Sequence, residues 1–261
     1  AAAPELTARP DQFVFVESVE NRLILRADDR GSGAKRRVIA ELTGRIRLQR
    51  WLSADGTRDG LVRGDPTLPG RRDRSFPEPG CRDGRQALGP DAPGESVACT
   101  PQPAYRSDLP TTTEGMRRYL YRPIGETPSM TGPMPEFAAD VPADLRAMVR
   151  VAEVVRAAPL SPAVQAAAFR VAATIPGVTV VRRATDATGR TGIAVRLAWA
   201  DSRTDLIFDA ETYAYLGTNS VLTTDLNGLK GIETRGLAAG RPSLEEAVLR
   251  AAVVDRPGQL P

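Results

Sequence analysis

The sequence has no histidine. That excludes the Ser-His-Asp triad, Cys-His pairs and every metal site that needs imidazole. It also removes the side chain best matched to general acid–base work near neutral pH. No apolar run approaches the roughly 20 residues of a membrane-spanning helix. Lysine is nearly missing: of 35 basic residues only Lys35 and Lys230 are not arginine. The formal net charge is +3 with acidic and basic residues interspersed. A nucleic-acid reader would concentrate charge on one element. Lys35-Arg36-Arg37 and Arg71-Arg72 stand out as short clusters, too small for such a reader, so a solvated surface and no nucleic-acid partner are expected.

Cysteine is equally scarce. Cys81 and Cys99 are the two present, both in a Pro/Gly-rich stretch with few apolar residues. A disulfide between them would close a short loop and stabilise it by roughly 3 kcal/mol in the chain-entropy model. The alternative is two unrelated thiols. There is no Cys-x-x-Cys and no third ligand, so a redox or metal role has no support and no cofactor is expected. The start, Ala1-Ala2-Ala3-Pro4, shows no basic n-region and no apolar h-region. Two expectations stay open: a cytoplasmic chain, or an ectodomain whose leader or anchor lies outside the sequence.

What is present is a soluble composition, 41% hydrophobic and 26% charged, over 261 residues, enough for a packed core. The organising stretch is 176–217. Ile193, Val195, Leu197 and Trp199 alternate with Ala194, Arg196 and Ala198, which is the period of an antiparallel strand with one face on a core. Turn residues at 186–189 precede it, and Leu206-Ile207-Phe208 and 213–217 continue the meander.

An N-terminal strand section spans 12–63. Residues 13–19 are aromatic and β-branched, 21–26 extend them, 28–33 carry turn chemistry, and 38–52 form a second strand. Asp55-Gly56 signals a hairpin and Leu61-Val62 a return strand. Residues 64–110 read as a long Pro/Gly-rich insertion, with 96–98 and Tyr105 as candidates to rejoin the sheet edge.

A helical section spans 111–175. Thr111 with Glu114 suggests a capping box, followed by the stripe Met116, Tyr119, Leu120. A second helix opens at 140–144 with Leu145, Met148, Val149, Ala152 and Val155 on one face, and stops before Pro159. Ser161-Pro162 is an N-cap with proline in the first turn, and the stripe Val164, Ala168, Val171, Ile175 follows. Antiparallel strands fill 176–255. Residues 225–241 read as loop. The last segment, 243–254, fits a capping box at its start but a β-branched strand in its body, and strand is preferred. The expected fold is a single α+β domain, a curved antiparallel sheet with helices on one face.

Candidate chemistry is sparse. Asp201, Asp205, Asp209 and Glu211 form the densest acidic cluster, and a carboxylate-dependent hydrolase would use them. Polar turns between strands carry Asp for ordinary reasons, and the spacing fits no calcium loop. Residues 186–190 lack the following helix of a phosphate cradle and read as a hairpin turn. Trp51, Tyr119, Trp199 and Tyr213, with Tyr121 and Tyr215, are candidates to line an apolar pocket, and Met130 and Met134 to form its lid.

Several stretches in this order resemble a family of uncharacterised extracytoplasmic domains of high-GC Gram-positive bacteria, membrane-anchored and often encoded beside a sigma factor. They are residues 10–15, 50–56 (Arg-Trp-Leu-Ser-Ala-Asp-Gly), 99–105 leading into Leu109-Pro110-Thr111, 175–178, 186–192, 206–209 and 253–256. The layout is also similar, at fold level only, to lipoprotein-carrier-like domains. The resemblance implies a non-enzymatic cell-envelope ectodomain that binds an apolar ligand or a protein partner in sigma-factor-linked signalling, with the membrane reached only through an anchor. It carries no catalytic residues over. The rivals are the carboxylate hydrolase and a structural subunit that wraps a neighbour with 64–110.

Overall fold

A computed structural model describes residues 7–28, 36–64, 75–88, 92–123, 141–157, 160–199, 201–226 and 232–261. Met130, Met134, Arg71, Arg72 and most of the expected 28–33 turn lie outside these.

The spine is a pair of long strands, β1 (Phe13–Asp28) and β13 (Pro242–Val254). They pair antiparallel from Phe13↔Val254 to Arg22↔Leu244. β13 settles the ambiguity of its sequence. Ser243 and Glu246 mimic a capping box, but the chain is flanked here by β1 and β11, and the ladders outweigh local helix signals. A bulge at Glu17/Ser18 lets β13 carry one extra residue, which bends it.

On one side of β1, β2 (Arg36–Leu42) and β3 (Ile46–Ser53) follow one another along the same strand. The expected single segment 38–52 is therefore two strands. Gly44, at φ +75°, makes the break, a conformation other residues rarely adopt. β4 (Gly60–Arg63) and β5 (Ser75–Glu78) extend this side. β6 (Arg85–Ala87) and β7 (Ser96–Ala98) make a separate two-stranded hairpin rather than rejoining the main sheet. The chain then returns to the sheet at 104–105, where Ala104 and Tyr105 N–H donate to the Ser53 and Ala54 carbonyls.

Three helices follow among the described residues. α1 (Thr113–Leu120) is capped by Thr112, not Thr111: its Oγ1 accepts the Gly115 N–H, and Glu114 pairs with Arg118 instead. α2 (Ala143–Ala157) and α3 (Pro162–Ala172) come next, and α3 has the expected Ser161 cap. On α2 the buried stripe is Ala147, Met148, Val151, Val154 and Val155, while Val149 is exposed. The apolar run 147–155 offers two overlapping helical stripes, and packing selects the one rotated away from Val149. Buried Arg150 donates to the Leu120, Arg122 and Pro123 carbonyls, so it serves the C-terminal end of α1, where carbonyls lack intrahelical partners.

The meander is β8 (Val178–Thr185), β9 (Thr191–Trp199), β10 (Ser202–Phe208) and β11 (Tyr215–Leu222). A short strand, β12 (Ile232–Arg235), lies within the expected loop and pairs parallel to β2. The main sheet runs β5-β4-β3-β1-β13-β11-β10-β9-β8 and does not close.

Period two divides this sheet into two faces. Val195, Leu206 and Phe208 sit under the helices with Met116, Leu120, Val151, Ala168 and Val171. The other face carries two smaller clusters. Phe13, Phe15, Trp51 and Val254 form one near the chain ends. Ala184, Ala194 and Ile207 form the other. The latter arises because β8 bulges between Val181 and Ala184 and the β8–β9 tip folds back over the sheet. Gly192 makes this possible: a Cβ there would lie 2.1 Å from the Phe208 carbonyl oxygen.

Candidate functional site

Charge is buried at the middle of the sheet. Glu20 on β1 and Glu246 on β13 are register partners, 3% and 7% exposed, and both point to the helix face. Burial of two carboxylates is costly unless each is paired. Arg22 Nη2 donates to Glu20 Oε2 at 2.6 Å, and Ser18 Oγ donates to Oε1 at 3.3 Å. Arg156, at the end of α2, donates from Nε to Glu246 Oε2 at 3.1 Å. The Tyr215 hydroxyl donates to the same oxygen at 3.0 Å and shares a short hydrogen bond with buried Thr218. Burial first, then the Glu246 charge, pushes the Tyr215 phenol well above its ordinary value. The close approach of β11 to β13 here depends on Gly217, where a Cβ would lie 2.0 Å from the Glu246 carbonyl oxygen. Two carboxylates, two guanidiniums and a neutral phenol thus form a charge-balanced patch where the helical layer meets the central strands. Its chemistry is that of a structural network.

Glu17, three residues from Glu20, points to the other face and is also buried. Burial raises its pKa, but hydrogen bonds from Arg47 (2.9 Å) and Gln49 (2.7 Å), with the charges of Arg47 and Arg250, outweigh this and hold it low.

The acidic cluster read from the sequence does not converge. Asp201 lies in the β9–β10 turn and accepts from Thr224 Oγ1. Asp205 faces away from the helices and accepts from Nε and Nη2 of Arg196, at 2.6 and 2.7 Å. Asp209, at the other end of β10, accepts the Thr212 and Glu211 N–H groups, and these bonds lower its pKa. Glu211 is exposed beside it. The 186–190 stretch is a hairpin turn, as read. Buried Asp186 accepts the Thr188 and Arg190 N–H groups and the Arg190 Nε–H. Arg190 also donates to the Leu216 and Val248 carbonyls, locking the folded-back tip to β11 and β13.

The pocket-lining aromatics separate. Trp51 is fully buried against Phe15 (centroids 5.1 Å apart) on the face away from the helices, with its indole N–H on the Gln259 carbonyl at 2.6 Å. Tyr119 and Tyr213 pack into the helix–sheet core, Tyr213 against Phe169 at 5.1 Å. Trp199 stands 53% exposed at the end of β9. Beneath the helices the described side chains interlock, with Val151, Ala167, Ala168, Val171, Val195, Leu206 and Phe208 all at 0% exposure. An open cleft of about 590 Å³ lies elsewhere, lined by Phe13, Thr57, Arg58, Asp59, Arg82, Asp83 and Pro257. Arg82 and Asp83 are held there by the Cys81–Cys99 disulfide (Cα–Cα 5.8 Å), which confirms the pairing over the two-thiol alternative.

At the sheet margin a different surface is formed. β8 is the last strand, and its outer side pairs with no strand among the described residues. Val180 is 48% exposed although its partner Val195 is fully buried, so the helical layer ends between them. Val180 and Trp199 share the helix face, and with the half-buried Val178 and Leu197 between them they make an apolar ledge there. Arg182 and Arg183, exposed at the bulge, flank it. Sequence reading placed Trp199 on this face but not at its margin, because strand order is not encoded in alternation.

Among the described residues no helix is long and apolar enough to cross a membrane, and no three acidic or cysteine side chains gather as metal ligands. Comparison with protein-family models, curated proteins and solved structures returned no match.

Proposed function

We propose that this chain is a non-enzymatic, extracytoplasmic binding domain whose ligand is a protein. The observation that carries the reading is the contrast between the filled helix–sheet core and the apolar ledge of Val180 and Trp199 at the open sheet margin. A carrier of apolar ligands keeps a cavity of several hundred Å³ lined by apolar side chains. The cleft of this domain is instead ringed by Arg58, Asp59, Arg82 and Asp83. The disulfide supports an oxidising compartment. Anchoring to a membrane and a link to sigma-factor signalling rest on the family resemblance alone.

Native mass spectrometry of these 261 residues expressed in the natural host, with and without mild organic extraction, tests the reading. A mass equal to the chain less two protons is expected. An additional mass that extraction removes would replace the protein partner with an apolar ligand.

A further inference from the structure

We infer that β8 takes an extended acidic segment of a partner protein as an additional strand of the sheet. This rests on the protein-binding reading and specifies its site, mode and chemistry.

Three observations converge on β8. An edge strand presents backbone N–H and C=O groups to whatever pairs with it, and the outer side of β8 faces no strand among the described residues. Second, the ledge adjoins this edge. Period two puts alternate side chains of an added strand on the helix face, beside Val180, where the helical layer has stopped, with Trp199 farther along β9 on the same face. Third, Arg182 and Arg183 are exposed at the bulge with no hydrogen-bond or ion-pair partner among the described residues. Their neighbours in the sheet need no charge: Val181 is held in the apolar cluster of Ala184, Ala194 and Ile207.

The charge selects the occupant. A second copy of β8 is a poor partner, because antiparallel pairing centred on the bulge gathers four guanidinium groups, and like charges across strands are destabilising. A basic or neutral segment leaves both arginines unanswered. A segment alternating acidic and apolar residues satisfies the backbone edge, the ledge and the arginines together. Beyond Ala184 the strand folds back over the sheet, held by Asp186 and Arg190. The free edge is therefore short, 178–183, and fits about five or six residues of partner.

The test uses the whole chain and an N-acetylated, C-amidated hexapeptide alternating Glu and Val. Its counterparts have Lys in place of Glu, or N-methyl groups on alternate amides. Trp199 emission reports binding, since Trp51 is buried, and amide hydrogen exchange locates it. The acidic peptide is expected to shift the emission and slow exchange across Thr179–Arg183. The Lys peptide should bind at least tenfold more weakly, and R182E/R183E should invert that order. The N-methylated peptide should not protect β8 in the wild-type chain. Equal binding of acidic and basic peptides, protection confined to another surface, or no binding at millimolar peptide overturns the inference. So does β8 protection that grows with protein concentration alone, which marks pairing between copies. Such failures leave the wider protein-binding reading intact, since that reading falls on an extractable ligand mass.

Discussion

Glu20 and Glu246 stand opposite each other on adjacent antiparallel strands, both buried and both aimed at the helical layer. Each is answered by its own arginine, Arg22 from the same strand and Arg156 from α2. The Arg156–Glu246 pair ties α2 to the central strands through charge, beside the apolar helix–sheet core.

Removing Arg156 leaves the Glu246 carboxylate short of a cation. Breaking a fully buried pair costs about 3–5 kcal/mol, but the Arg156 side chain is 37% exposed, and solvent screening reduces the expected loss for R156M to about 1–2 kcal/mol. Adding E246Q should recover part of it. A double-mutant cycle in urea measures the coupling, and strictly additive losses would show that the two groups act independently.

Tyr215 should ionise only above the range of exposed tyrosines, because burial and then Glu246 disfavour its phenolate. With its folded pKa raised above the unfolded value near 10, its contribution to stability is complete below pH 10 and declines as pH rises beyond it. Ultraviolet titration should show two late phenols, Tyr121, pushed up to about 12 by burial and then by Asp144, and Tyr215, and Y215F should remove one of them.

Asp186 is expected to govern part of the acid stability. Burial raises its pKa, but bonds from Thr188 and Arg190 outweigh this and hold it below the ordinary 3.8. Its stabilisation is therefore present above pH 3.8 and lost as pH falls through the folded value. D186N should cost about 1.5–3 kcal/mol at pH 7, the range for a hydrogen bond to a charged group. The difference from wild type should shrink below pH 4, where denaturant midpoints are compared.

G217A should be among the most damaging small substitutions. Its Cβ would sit 2.0 Å from the Glu246 carbonyl oxygen, so β11 and β13 must separate beside the buried network. Overpacking of this kind costs about 1–3 kcal/mol. G44A tests a different penalty: its Cβ meets nothing within 4 Å, but φ is +75°. It should cost about 1–2 kcal/mol from the left-handed backbone alone. Thermal unfolding of both variants separates steric from conformational cost.

C81S/C99S should lower stability by about 3 kcal/mol, the chain-entropy value for a loop of this size, whose ends are 18 residues apart. Limited proteolysis should cut first between the two former cysteines. Unchanged cleavage and unchanged melting would mean that the β6–β7 hairpin holds itself.

Local periodicity and turn chemistry were sufficient for most of the elements, but not for β12 inside the expected loop, the break between β2 and β3, or the choice of strand for β13. The alternation of 193–199 gave a strand, Ser161-Pro162 a helix start, and Asp186 to Gly189 a hairpin. Where two local signals overlapped, as at Thr111 and Thr112 or along 147–155, the sequence was correct about the element and one residue off in its detail. Only the environment distinguishes neighbouring stripes or caps of similar intrinsic energy.

The candidate sites were less accessible. Asp201, Asp205, Asp209 and Glu211 attracted attention by proximity in sequence, yet β10 carries them to opposite ends and faces. Glu20 and Glu246 carry no local signal of burial, because a strand alternates its faces without saying what lies over them. The amino-acid sequence by itself determined most of the segments that become strands and helices, since those preferences act over a few residues, while β12 and β13 needed their partner strands. The tertiary structure decided which strand lies at the margin, which glutamates meet, and that Trp199 is exposed while Trp51 is buried. These outcomes depend on strand order and on where the helical layer stops, and both are set by contacts between residues far apart in the chain.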